Sequence, residues 1–89
     1  MSTPTERLDG LKPGHTATIL TMDADPGLHH RLLALGFRHG RQVKMLRRSG
    51  WAGPVHVRVG TTEVMLRRRD AQRIGITSLI HAPARGARE

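Results

Sequence analysis

The chain has 89 residues, no cysteine and a formal net charge of +8, from 15 basic and 7 acidic side chains. At that length one domain with a small core is expected, since a chain this size buries only about 60–65% of its unfolded surface. The composition excludes a disulfide framework, a zinc–thiolate site and a thiol nucleophile, no apolar run nears the ~20 residues of a membrane span, and the polar opening Met-Ser-Thr-Pro-Thr-Glu lacks the apolar core of a signal peptide, so a soluble cytoplasmic protein is expected.

Residues 1–7 read as a disordered N-terminus. Leu8 and Leu11 bracket Asp9-Gly10 as a short lead-in, and Lys12-Pro13-Gly14-His15 carries the Pro-then-Gly centre of a type II turn. From Thr16 to Met22 β-branched residues alternate, with Ala17, Ile19 and Thr21 on one side and Thr18, Leu20 and Met22 on the other. Asp25-Pro26 is helix-start chemistry: the carboxylate accepts from an orphan N–H of the first turn, and Pro suits the first helical position. Leu28, Leu32 and Leu35 then form one apolar stripe of a helix over 26–35. Gly36 closes it in the left-handed conformation, with Phe37 folding back on Leu32 as in a Schellman stop.

After the turn Phe37-Arg38-His39-Gly40 the period changes to two. Gln42 to Ser49 reads as a strand with Val43, Met45 and Arg47 on one side and Lys44, Leu46 and Arg48 on the other. A Gly-rich loop, Ser49 to Pro54, carries Trp51. Val55, Val57 and Val59 alternate with His56 and Arg58 in a half-buried strand, Gly60-Thr61 turns the chain, and Thr62 to Leu66 returns it. A helical turn is expected near 69–73 with Asp70 as its cap. The last strand starts at Ile74 and ends near His81, and residues 82–89 read as a disordered basic tail. About five short strands with one inserted helix point to a mainly β fold, a small, bent, partly open barrel.

The order of these features resembles the ferrous iron transport protein A (FeoA) family and the SH3-like domain it shares with the C-terminal part of some iron-dependent repressors. The match is carried by Leu11-Lys12-Pro13-Gly14 with Ala17 and Ile19, then Arg31-Leu32-Leu33-Ala34-Leu35-Gly36-Phe37 with Gly40 and Val43. Pro54, Val57, Leu66-Arg67, Ala71 and Ile74 follow in order. The resemblance covers residues 8–77. It implies an SH3-like barrel spanning 8–81 that is not an enzyme and needs no cofactor. It further implies a cytosolic accessory of the FeoB transporter, a membrane protein with a cytosolic GTP-binding domain.

The residues themselves agree with a non-enzymatic role. Ser2, Ser49 and Ser78 lie in a tail, a loop and a late strand, and no nucleophile–base–orienter set can be assembled. Adjacent His29 and His30 diverge by about 100° on a helix and do not share one ion. Asp23, Asp25 and His29 have donor types suited to Fe(II), but capping accounts for Asp25, and no metal site is expected. Proline-peptide capture needs an aromatic groove, and the chain has one Trp, one Phe and no Tyr. Gly50-x-x-Gly53 precedes a strand rather than a helix, so it is no phosphate cradle.

Two functions remain. In the first, the barrel docks on the transporter's cytosolic region through Trp51 in its loop, Met45 as an apolar residue the core does not need, and flanking Arg47, Arg48 and Arg58, with the positive charge drawing it to the anionic leaflet. Trp51 is equally readable as a lid over the barrel. In the second, Lys44, Arg48, His56 and Arg58 form a stripe continuous with Arg67 to Arg69 that binds nucleic acid through phosphate contacts, without the stacking aromatics of single-strand binders.

Overall fold

The computed structural model describes residues 6–50 and 52–77. In chain order they form β1 (Glu6–Arg7), a 3₁₀ turn (Leu8–Gly10), β2 (Thr16–Met22), α1 (Pro26–Leu35), β3 (Gln42–Arg48), β4 (Val55–Val59), β5 (Thr62–Leu66), α2 (Arg68–Ala71) and β6 (Ile74–Thr77). All strands join one sheet in the order β1-β6-β2-β3-β4-β5, and every pairing is antiparallel. The sixth strand is the addition to expectation. Glu6 and Arg7, assigned from sequence to a disordered terminus, pair with Ile76 and Gly75. Two residues show no period, so only the partner strand reveals them. The tail 82–89 and the stretch 78–81 lie outside the described residues.

The core is the inner face of this sheet. Ala17 and Ile19 of β2, Val43 and Met45 of β3, all three valines of β4, Val64 and Leu66 of β5, and Ile74 and Ile76 of β6 are buried with Leu8, Leu11, Leu32, Phe37 and Ala71. The α1 helix supplies one side of it. Asp25 Oδ1 accepts from the Leu28 N–H at 2.8 Å, and Pro26 sits at the first position. At the other end Gly36 has φ +104°. Its N–H donates to the Leu33 carbonyl and that of Phe37 to the Leu32 carbonyl, both at 3.0 Å, the paired bonds of a Schellman stop. Leu32 and Phe37 are fully buried, and Leu28 and Leu35 pack against the cluster from its margin.

Two bulges interrupt the alternation, and both redirect side chains. In β2 the register with β6 shifts between Ile19 and Thr21, so Thr21 is exposed instead of sharing the buried side of Ile19. In β3 the register with β4 shifts between Met45 and Arg47. Leu46 is the extra residue. Lys44 pairs with Arg58 and Arg47 with His56, so Lys44 and Arg47 lie on one outer face although three positions separate them. Arg47 therefore does not share the side of Val43 and Met45.

The barrel stays open between its edge strands, and a polar strap crosses the gap. α2 begins one residue earlier than expected, at Arg68. Its N-cap is Arg67, which makes no side-chain capping bond, so Asp70 lies inside the turn and is not its cap. That start aims Arg68 at the opposite edge. Its Nε donates to the Gly53 carbonyl at 3.1 Å, Nη2 to the Gly50 carbonyl at 3.1 Å and Nη1 to the Asp9 carbonyl at 3.5 Å. Gln72 Nε2 adds a bond to Asp9 Oδ2 at 3.3 Å. One guanidinium, planar with its N–H groups in a fixed fork, thus ties the 3₁₀ turn after β1 and the loop before β4 to the end of β5.

Candidate functional site

Of the residues assigned from sequence to partner contact, the outer sheet face collects two. Arg47 stands beside Lys44 in β3, and Arg58 lies across from Lys44 in β4. Glu63, opposite Arg58 on β5, changes the electrostatics of this face. Its Oε2 accepts from Arg58 Nη2 at 2.9 Å, and its Oε1 lies 3.4 Å from His56 Nε2. The hydrogen bond from Arg58 is the main cause that holds the Glu63 carboxyl below the usual carboxylate range, with the charge of Arg58 and the His56 contact adding to it. Glu63 thus neutralises Arg58, and Lys44 and Arg47 are the basic side chains left on that row.

The other three assignments fare differently. Met45 is corrected: it is 0% exposed and packed in the core, because its side chain precedes the bulge and points inward with Val43. It offers nothing to a partner. Arg48 is exposed at the end of β3, opposite the buried Val55, off the row formed by Lys44 and Arg47. Trp51 lies outside the described residues. The loop around it is anchored on both sides, since the Ser49 N–H donates to the Pro54 carbonyl at 3.0 Å and Arg68 holds the carbonyls of Gly50 and Gly53. A Cβ at Gly53 would collide with the Ser49 carbonyl oxygen, so glycine is required there by the closeness of the backbone.

A second surface was not anticipated. A cleft of about 520 Å³ separates the start of α1 from α2, lined by Arg31, Arg69 and Arg73 with Asp25, Asp70 and Leu28. A shallower hollow of about 290 Å³ shares Arg31 and Asp70 with it and continues past Leu35 to Met65 and Arg67. Leu28, Arg31 and Leu35 fall at i, i+3 and i+7, one face of α1. Met65, at 63% exposure, is the most exposed large apolar side chain among the described residues. The sequence signal for this groove was present only in halves: an arginine inside the leucine stripe of α1, and an arginine run after β5. Their convergence is tertiary.

Among the described residues no three His, Asp or Glu side chains converge to hold a metal ion. Asp25 is committed to its cap, and Asp23 and His29 form no cluster with it. No helix among them is long and apolar enough to cross a membrane.

Comparison with known proteins places this geometry. The model of the FeoA domain matches residues 6–78. A curated protein of Porphyromonas gingivalis, a fusion of Fe(2+) transport protein A with the Fe(2+) transporter FeoB, is 31% identical over 70 residues, which is 79% of this chain and 8% of that protein. The chain thus spans under a tenth of that relative. Among solved structures, FeoA of Chlorobium tepidum superimposes with a TM-score of 0.78 at 28% identity, over 86% of this chain and 73% of that one. FeoA of Stenotrophomonas maltophilia, solved with zinc and described as a prokaryotic SH3 domain protein, gives 0.68 at 28%, over 84% and 91%. A manganese-dependent transcriptional repressor gives 0.79 at 28%, over 89% of this chain and 44% of its own. The mainly β, SH3-like architecture and the family match agree, and the chain belongs to the FeoA family, which is linked to ferrous iron transport.

Proposed function

We propose that this protein is a non-enzymatic accessory of a ferrous iron transporter, which docks on the cytosolic region of a FeoB-type membrane protein and supports Fe(II) uptake by favouring one of its conformations. The observation that carries this reading is the relative in which the same domain and the transporter form a single polypeptide. A covalent link holds two modules at an effective concentration in the millimolar range. Within such a pair of modules, docking itself is made by surface contacts. The exposed basic side chains Lys44, Arg47 and Arg48 and the anchored loop of Gly50 and Gly53 are the surfaces this reading uses. The net charge of +8 supports enrichment at the anionic inner leaflet, where such a transporter sits. The ligand effect is conformational: an accessory shifts a transporter's equilibrium only by its difference in affinity for the two states.

The test is capture of the transporter's cytosolic domain by the immobilised full chain, in moderate salt, with the domain empty, GDP-loaded and GTP-loaded. Retention in at least one state is expected, and absence of retention in all three overturns the reading. The basic sheet row also favours a second reading, duplex nucleic-acid binding through phosphates. That reading requires a mobility shift that persists near 150 mM salt and falls steeply above it.

A further inference from the structure

We infer that the groove between α1 and the β5–α2 segment receives an acidic, extended segment of a protein partner, which adds to the free edge of β5 as a further strand. This deepens the docking reading, on which it rests for the partner being a protein, by naming the chemistry of the segment that is held.

Three independent features meet in the groove. The first is backbone. β5 ends the sheet, and among the described residues no backbone group pairs with its outer row of N–H and C=O groups. An unpaired edge of this kind is a template for an added strand. The second is apolar surface. Met65 stands exposed on that edge strand, and Leu35 of α1 faces the same hollow, so an apolar side chain of an incoming strand has two partners to cover. The third is charge. Arg31, Arg67, Arg69 and Arg73 line the two connected hollows, and among the described residues both ion pairs are made by Glu63, none by these four. Of the two acids present, Asp25 has an oxygen engaged by the α1 cap. Guanidinium groups recognise carboxylates through paired N–H···O bonds, so a segment with Asp or Glu on alternate positions fits both the edge and the arginines.

Other occupants fit less of this surface. The chain's own residues 78–89 carry His81, Arg85 and Arg88 against Glu89, the wrong sign for a groove of arginines. A phosphate-bearing polymer would meet the arginines and leave the β5 edge and Met65 without partners. Basic residues around an edge ordinarily deter random pairing; the same charge admits a strand of opposite sign.

The experiment uses the full chain with a fluorescein-labelled peptide in which Glu alternates with Val, followed by anisotropy and by amide NMR shifts. Saturable binding is expected, with the largest shifts in residues 62–66, 69–73 and α1. The double variant Arg31→Glu/Arg69→Glu changes exposed side chains alone and is expected to weaken binding by about tenfold or more. The paired control Lys12→Glu/Arg38→Glu, at two exposed turn positions that line neither hollow, should stay within about twofold of the parent. A peptide with Lys in place of Glu should not bind. No saturation with the Glu–Val peptide, unchanged affinity in the groove variant, or shifts confined to the sheet face would overturn the inference. Duplex DNA or phosphatidylserine vesicles displacing the peptide and shifting the same amides more strongly would overturn it too, by assigning the groove to phosphates. Capture of the transporter domain without peptide binding removes the groove and leaves the docking reading. Peptide binding without capture does the reverse.

Discussion

The barrel is held shut in two places by opposite means. Beside α1 the seal is apolar and local: Phe37 and Leu32, both fully buried, are brought together by a six-residue turn that Gly36 permits. Across the gap between the edge strands the seal is polar and long-range. Arg68 reaches carbonyls 15, 18 and 59 positions away, at Gly53, Gly50 and Asp9. Burial of apolar area is non-directional and tolerates small shifts, whereas hydrogen bonds from one guanidinium fix three backbone segments at set distances. The apolar seal therefore carries stability, and the polar one carries the position of the loop that brackets Trp51. Neighbouring arginines illustrate the division. Arg68 serves the strap, while Arg67 and Arg69 on either side of it face the groove.

The largest test of this contrast is Phe37→Ala. Removing a fully buried phenyl ring is expected to cost about 3–5 kcal/mol, most of what a domain this size has to lose. Urea titration of the variant should show a much lower midpoint, and the effect should not depend on salt. A loss below about 1 kcal/mol would mean that the core closes over the gap and the seal is not where stability resides. Next comes Arg68→Ala. Its hydrogen bonds are charge-assisted but partly exposed, so the expected cost is about 1–3 kcal/mol in all. Arg67→Ala and Arg69→Ala should stay within about 0.5 kcal/mol of the parent. Amide shifts in Arg68→Ala should cluster at Gly50, Gly53 and Gly10 and spare α1. Equal effects from all three arginines would erase the distinction drawn between strap and groove.

What could be read in advance follows the same line. The α1 start and stop were legible because every participant lies within thirteen positions, from Asp25 to Phe37, and each uses a residue-specific device. The two hairpin strands β4 and β5 were legible from alternation about Gly60-Thr61. The bulge at Leu46 was not, because a bulge is defined by the partner strand's register, and it moved Arg47 to the face of Lys44 while leaving Met45 in the core. Arg68 looked like its two neighbours, since a run of three arginines carries no mark of which one turns inward. Arg58 looked free until Glu63 was found opposite it, a cross-strand pairing fixed by the short turn between β4 and β5.

A smaller effect sharpens the local side of the comparison. Asp25→Ala removes the acceptor for the Leu28 N–H and should cost about 0.5–2 kcal/mol, with Asp25→Asn or Asp25→Ser nearly restoring it. Hydrogen exchange should quicken at the first turn of α1 and remain slow at Phe37, because the two ends are stabilised separately. Loss of protection at both ends together would show that the helix opens as a unit with the seal.

The smallest effect concerns Glu63, which lies exposed on the outer face and is held by Arg58. Because that bond makes the carboxyl more acidic in the folded chain than in the unfolded one, the unfolded state takes up its proton first as pH falls. The stability it contributes is therefore present above the ordinary carboxylate range and is lost as pH drops through the lowered folded value. Thermal midpoints of the parent and Glu63→Gln, compared from about pH 7 to about pH 2, should differ slightly at the upper end and converge at the lower. Arg58→Ala should remove most of that pH dependence, since the guanidinium is its principal cause. A gap between parent and Glu63→Gln that persists at the lowest pH would mean that the side chain acts through packing against its neighbours on β4, and that Arg58 is less neutralised than the geometry implies.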